Sequence, residues 1–181
     1  MDDVTPQMRS RAKAVNFGIV YGQQAYGLSQ SLHIPFYEAK EMIDRYFEVH
    51  PGVRTYLDDV VAQAHKDGYA VTLFGRRRYI PELKAKNAAQ RGFGERTAMN
   101  HPMQGTAADI IKLAMRRVQD ELVARDLGTR LMLQVHDELD LSVPESEEVS
   151  DLRTSVMESV VELSVPLLVD VSAGANWAEA H

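Results

Sequence analysis

Cysteine is absent from the chain, which removes two classes of explanation at once: a disulfide framework and any metal site built on thiolates. Its absence fits a reducing compartment, and a cytoplasmic location is the expectation. Long apolar runs are missing as well. None approaches the ~20 residues needed to span a bilayer, and the N-terminus lacks the charged-then-apolar pattern of a secretory signal. A soluble protein with no membrane partner is therefore expected. No internal repeat, low-complexity tract or evident linker interrupts the sequence. What remains is a chain of 181 residues, 45% hydrophobic, long enough to bury a core as one domain or two small ones.

Positive charge is also in short supply, with a net charge of −6, which taken alone argues against a nucleic-acid partner. The distribution reverses that inference. Residues 1–100 hold 14 Lys/Arg against 11 Asp/Glu, whereas residues 101–181 hold 6 against 15. Between Arg76 and Arg96 the cations Arg76, Arg77, Arg78, Lys84, Lys86, Arg91 and Arg96 face only Glu82 and Glu95. Such a patch could track a phosphate backbone, although charge runs of this size are more often solvated surface.

The stretch RSRAKAVNFGIVYG places Arg9, Lys13, Phe17 and Tyr21 at a constant spacing of four. On an α-helix each such step drifts only ~40° around the axis, so two cations and then two aromatics share one face. Thr5 and Pro6 supply the start signals of that helix. The order suits a ligand with a polyanionic end and a flat end, such as a nucleoside triphosphate: Arg9 and Lys13 on phosphate oxygens, Phe17 and Tyr21 against sugar and base. By spacing alone the aromatics are more often core and the two cations a solvated face.

Further helices are predicted over 26–32, 36–49 and 51–67, the last closed by Gly68. Two short strands, 70–73 and 78–80, join across Phe74-Gly75-Arg76 and carry the arginines outward. Helices are expected again from Lys86 to about Asn100 and from Met103 to Asp126, broken at His101-Pro102. Arg96, Asn100 and Gln104 repeat the spacing of four as a row of hydrogen-bonding side chains. Next, Leu131, Leu133 and Val135 alternate with Met132 and Gln134, and Leu139, Leu141 and Val143 alternate with Asp140 and Ser142. This predicts a β-hairpin whose tip is His136-Asp137-Glu138. A helix over about 145–163 and a final strand, 167–171, complete an α+β pattern, an antiparallel sheet backed by helices. At the tip, Asp137 and Glu138 are hard oxygen donors suited to Mg²⁺.

Four strings taken together narrow the reading. R-x-x-x-K-x-x-x-F-x-x-x-Y-G from Arg9 to Gly22, RTAMNHPMQGTAAD from Arg96 to Asp109, V-H-D-E from Val135 to Glu138 and N-W-x-x-A-H from Asn176 to His181 resemble, in this order, the family A DNA polymerases. The resemblance covers nearly the whole chain. It implies that residues 1–100 form a helix-rich fingers subdomain and residues 101–181 the C-terminal portion of the palm. It further implies a template-directed DNA polymerase that joins deoxynucleoside triphosphates to a primer 3′ end by two-metal phosphoryl transfer. In such an enzyme Asp137, with Glu138 beside it, would be the metal ligand and Lys13 a catalytic residue supplying a proton to the leaving pyrophosphate. Arg9 and Lys13 would bind the triphosphate, Phe17 would wall the sugar, and Tyr21 would guard the template side. Arg96, Asn100, Gln104 and His136 would meet primer and template. An amide in the minor groove reads a pattern that varies little with sequence, as a polymerase requires.

The family's first palm motif, D-Y-S-Q-I-E-L-R or a close variant, is found nowhere in the chain. The Mg²⁺ site of two ions is thus expected to need an aspartate outside it, and a missing N-terminal polymerase portion (thumb and proximal palm) is an expected partner beside primer-template DNA. Met1-Asp2-Asp3 then reads as an imposed start or the start of the second piece of a split polymerase, and the isolated chain is expected to be inactive. Two other readings stay open: a nucleotide- or DNA-binding module without catalysis, and a relative of the single-subunit RNA polymerases.

Overall fold

Thr5 and Pro6 start the first helix as their chemistry dictates. The Thr5 hydroxyl accepts a hydrogen bond from the Met8 N–H at 3.2 Å, and proline, with no N–H to lose, takes the first position of α1, Pro6–Val20. The computed structural model describes residues 4–180. The Met1-Asp2-Asp3 start and the closing His181 lie outside the described residues.

The chain divides into two units, Met1–Gly105 and Thr106–His181. In the first, α1 is followed by α2 (Ala25–Leu32), α3 (Phe36–Val49) and α4 (Pro51–Asp67), near the expected bounds. Gly68 ends α4 in a left-handed conformation, φ 80°. An antiparallel hairpin follows, β1 (Tyr69–Val71) and β2 (Arg77–Tyr79), with Tyr69 opposite Tyr79. A 3₁₀ turn, Pro81–Lys84, then leads to α5 (Ala88–Asn100), whose Asn87 cap accepts from the Ala89 and Gln90 N–H groups. Ala64, Ala70, Ile80, Leu83 and Ala98 bury against one another as the core beneath the hairpin.

In the second unit α6 (Thr106–Ala124) buries Ile111, Ala114, Val118 and Leu122, the spacing of one helical stripe. Val118 and Leu122 pack with Leu152 and Val156, and Leu139 and Leu141 of the second hairpin lie against that cluster. The hairpin is β3 (Arg130–Val135) paired antiparallel with β4 (Glu138–Ser142). A short α7, Trp177–Ala180, ends the described chain. The expected α+β class holds in a mostly helical form, with two two-stranded antiparallel sheets among the described residues. No described helix is long and apolar enough to cross a membrane.

Four local expectations are corrected. The chain does not break at His101-Pro102. A π-helical turn, His101–Gly105, runs between α5 and α6, a widening that accommodates a proline which cannot donate into the helical ladder. The expected strand alternation fails at Met132, where a bulge shifts the register from Leu131–Leu141 to Leu133–Asp140. Leu133 consequently turns outward and is 61% exposed. The helix expected over 145–163 shrinks to helical geometry at residues 151–157. Serine hydroxyls compete there for backbone acceptors, Ser155 Oγ donating to the Asp151 carbonyl at 2.8 Å and Ser159 Oγ to the Ser155 carbonyl at 2.9 Å. The strand expected over 167–171 has no strand partner among the described residues, and the Val169 N–H is taken by the Glu158 carboxylate at 3.1 Å.

The turn into β3 is held by one side chain. Glu147 accepts from the Gly128 N–H at 2.7 Å, the Thr129 N–H at 3.0 Å and the Thr129 hydroxyl at 2.7 Å. The Thr129 hydroxyl bond and then the backbone bonds stabilise the charged form and hold the Glu147 acid below its ordinary value of 4.5. A depressed carboxylate contributes stability that is fully present above the unfolded value and is lost as pH falls through the folded one. Glu147→Gln is therefore expected to lower the melting temperature by a few degrees at neutral pH. The difference from wild type should shrink as pH falls below 4.5, which circular-dichroism melts across pH check.

Candidate functional site

The aromatic pair on α1 is not core. The helix buries Gly18 and Ile19 instead, while Phe17 is 49% and Tyr21 37% exposed. Their rings stack with centroids 6.0 Å apart and planes 28° from parallel. The Lys13 ammonium lies 5.7 Å from the Phe17 centroid, within cation–π range. Arg9 and Lys13 are both exposed. The sequence of α1 contains three cations and no acidic residue. Its Arg11 reaches Glu38 at 4.0 Å, but neither Arg9 nor Lys13 has a carboxylate partner among the described residues. In a chain of net charge −6, that leaves a cationic face beside two stacked, open rings.

α1 ends at Val20, so Tyr21 is its cap, with its N–H still donating to the Phe17 carbonyl at 3.0 Å. Gly22 then turns left-handed, φ 69°. A Cβ at Gly22 would stand 2.9 Å from Met99 Sδ and 3.0 Å from Arg96 Cγ. The end of the aromatic face thus rests on α5, beside the first member of the hydrogen-bonding row. Within that row Arg96 and Gln104 are exposed, and Asn100 is half-buried. The Asn100 Oδ1 is buried without a hydrogen-bond partner. The structure therefore brings the α1 face and the Arg96–Gln104 row into one unit.

The acidic tip lies in the other unit. Val135 pairs with Glu138 across the turn, leaving His136 and Asp137 as its two residues. His136 takes a left-handed φ of 53°, and its carbonyl accepts from Gln134 Nε2 at 2.6 Å. His136, Asp137 and Glu138 are all exposed. The carboxylates fit one side of a divalent-cation site by donor chemistry and openness. Among the described residues no group of three His, Asp or Glu side chains gathers to complete one.

Sequence reasoning missed His101. Its ring Nε2 lies 3.2 Å from the Arg76 carbonyl. In the sequence it stood inside the string RTAMNHPMQGTAAD and was read only as part of the break before Pro102.

In class, this is the fold of part of a polymerase domain. The structure is similar, with a TM-score of 0.93 and 48% identity, to the POL domain of Pol1 from M. smegmatis, solved as a complex with DNA primer-template and dNTP, covering 99% of this chain and 32% of that one. The model of the DNA polymerase family A matches residues 1–179, and the chain belongs to that family. DNA polymerase I of Streptococcus pneumoniae serotype 4 is 51% identical over 181 residues, and that of Geobacillus stearothermophilus 52%. The chain spans about a fifth of the length of these relatives, 21% of each.

A methyl group at Gly22 would meet both a left-handed backbone and the close approach of α5. Gly22→Ala is expected to lower the unfolding free energy by about 1–2 kcal/mol through the backbone conformation alone. Adding Met99→Ala relieves only the crowding at the sulfur and should not restore stability. Urea denaturation of the two variants checks this.

Proposed function

We propose that this chain is the fingers and C-terminal palm portion of a template-directed DNA polymerase, which adds deoxynucleotides to a primer 3′ end by phosphoryl transfer. The observation that carries the reading is the face of α1, where Arg9 and Lys13 have no carboxylate partner among the described residues and the stacked Phe17 and Tyr21 rings stand open. The primer-template and dNTP in the similar M. smegmatis structure support it.

In this reading Arg9 and Lys13 hold the triphosphate through charge-assisted hydrogen bonds. Lys13 also holds a proton at Nζ for the departing pyrophosphate. Phe17 walls the sugar and Tyr21 guards the template side. Arg96 grips phosphate, and Asn100 and Gln104 present amides to the minor groove. His136 stands by the primer terminus. Asp137 and Glu138 would hold Mg²⁺, with further carboxylate supplied from elsewhere in the polymerase. A cation bound there stabilises negative charge on the phosphoryl oxygens.

Two adjacent carboxylates on one turn cannot flank a pair of divalent cations, so the 181 residues alone are expected not to extend a primer with Mg²⁺. Extension should appear once the upstream part of a family A polymerase is added in trans or by fusion, and vanish with Asp137→Ala. Robust extension by the isolated chain would overturn the need for an outside carboxylate. Binding without extension after reconstitution would favour a non-catalytic module, and preference for ribonucleotides the RNA polymerase reading.

This reading implies a division of labour. In the reconstituted enzyme Lys13→Ala should mainly impair use of the nucleotide, whereas Arg96→Ala should weaken primer-template engagement and make it more salt-sensitive. Each loss is expected to be tenfold or more, since charge-assisted contacts contribute ~1.5–3 kcal/mol. Steady-state kinetics with each substrate varied separately reads the two defects apart.

A further inference from the structure

We propose that Gln23 is a positioning residue: its side chain, seated between Gly18 of α1 and Gly27 of α2, sets the stance of the turn that carries Tyr21. The inference rests on the polymerase reading above, in which Tyr21 guards the template side.

The end of α1 is a Schellman turn. The Gly22 N–H donates to the Ile19 carbonyl at 2.9 Å and the Gln23 N–H to the Gly18 carbonyl at 2.7 Å, the pair of bonds that defines this way of ending a helix. These bonds set the path of the main chain. Such a turn is commonly closed by an apolar contact between the residue after the left-handed one and the residue whose carbonyl it reaches. Here those two residues are Gln23 and Gly18, so no apolar pair forms.

The glutamine side chain takes that place. A Cβ on Gly18 would stand 2.5 Å from Gln23 Oε1, and a Cβ on Gly27 would stand 2.9 Å from Gln23 Cγ and 3.1 Å from its Nε2. For both glycines the three nearest atoms all belong to Gln23. Both lie inside helices, where glycine is a poor residue, and neither takes a positive φ. Backbone conformation therefore does not call for them, whereas the space that Gln23 occupies does. On the α2 side Gln23 Nε2 also donates to Ser31 Oγ at 3.5 Å, a long bond, and the Ser31 hydroxyl donates to the Leu28 carbonyl at 3.1 Å.

The seat bears on Tyr21 through the backbone. Tyr21 caps α1 directly before Gly22, and its ring stacks on Phe17. Gly22 meets Met99 and Arg96 of α5, while Gln23 meets Gly27 and Ser31 of α2. The turn is thus bounded on two different elements. Emptying the seat leaves a notch into which the turn can settle, and the Tyr21 ring moves with it. A displaced ring loosens the slot that it forms with Phe17, so the effect falls on the choice of nucleotide more than on the rate with the correct one.

The test uses the polymerase reconstituted with its upstream part and compares kcat/KM for a matched and a mismatched nucleotide opposite one template base. Tyr21→Ala defines the share of that ratio belonging to the ring. Gln23→Ala is expected to lower the ratio about three- to tenfold, a coupling of the size carried by a backbone shift, and to add little in the Tyr21→Ala background. Gly18→Ala, whose methyl group takes the place of the amide, should lower it as much, even though alanine for glycine inside a helix favours folding. Joined to Gln23→Ala it should cost little more. Gln23→Met, an unbranched chain of similar length, should keep most of the ratio. Circular-dichroism melts show that each variant is folded at the assay temperature, and Gly18→Ala carries the test should Gln23→Ala prove unfolded.

A wild-type ratio in folded Gly18→Ala and Gln23→Ala, with Tyr21→Ala still effective, would overturn the positioning role while leaving the polymerase reading intact. Failure of the reconstituted wild-type protein to extend a primer would instead remove that reading, and the proposal with it. An unchanged ratio in Tyr21→Ala would overturn the proposal at its premise. Full loss from Gln23→Ala in the Tyr21→Ala background would show that Gln23 acts elsewhere, and equal loss in the Met and Ala variants would overturn the filled seat as the cause.

Discussion

The first unit depends on a turn that has no room for a side chain. Gly22 is left-handed, and a Cβ on it would stand 2.9 Å from Met99 Sδ and 3.0 Å from Arg96 Cγ of α5. Because α1 ends at Val20, the aromatic face runs straight into this contact through Tyr21. A face made of residues near the start of the chain and a row made of residues near position 100 are thereby fixed at one joint. The joint is made of backbone and side-chain stems, which leaves the ends of Arg9, Lys13 and Arg96 exposed. Rigid placement of exposed polar ends is what a binding surface requires, since ordering long side chains on binding costs ~0.5–1.5 kcal/mol each.

The helices of the first unit were legible because periodicity and stop signals agree there: Thr5-Pro6 at one end of α1, Gly68 after α4. The hairpin tip His136-Asp137-Glu138 was legible because the flanking apolar alternation closes on a turn. The misses share a physical cause, the dependence of the outcome on a partner remote in sequence. Leu133 has the right period to face inward, but the bulge at Met132 turns it out. Residues 167–171 have strand composition, yet a strand exists only through pairing. Over residues 145–163 the apolar spacing Leu152, Val156, Val160 is helical, and all three are buried. Serine back-bonding and β-branched residues nevertheless confine helical geometry to one short run. The candidate site residues declare their chemistry by type and, Asn100 apart, stand exposed, whereas His101 and Gly105 meet the Arg76 carbonyl and Thr72 through contacts that no spacing rule encodes.

The two constellations differ in charge. In the second unit three cations are engaged: Arg116 with Asp120 at 2.9 Å, Arg125 with Glu121 at 3.1 Å and Asp151 at 2.6 Å, and Arg117 donating to the Ser159 carbonyl at 3.0 Å. None of these pairs reaches Asp137. A tip bearing two carboxylates is unfavourable for an anion, whereas the sequence of α1 offers no acid to neutralise Arg9, Arg11 and Lys13. A divalent cation held there, as proposed above, would reverse the local sign. Exposed pairs along helices contribute only ~0.3–0.5 kcal/mol each to stability, so leaving α1 without such pairs costs the fold little. The cations Arg9 and Lys13, which no carboxylate meets among the described residues, are therefore no burden on the folded chain and agree with the anion-binding role proposed above.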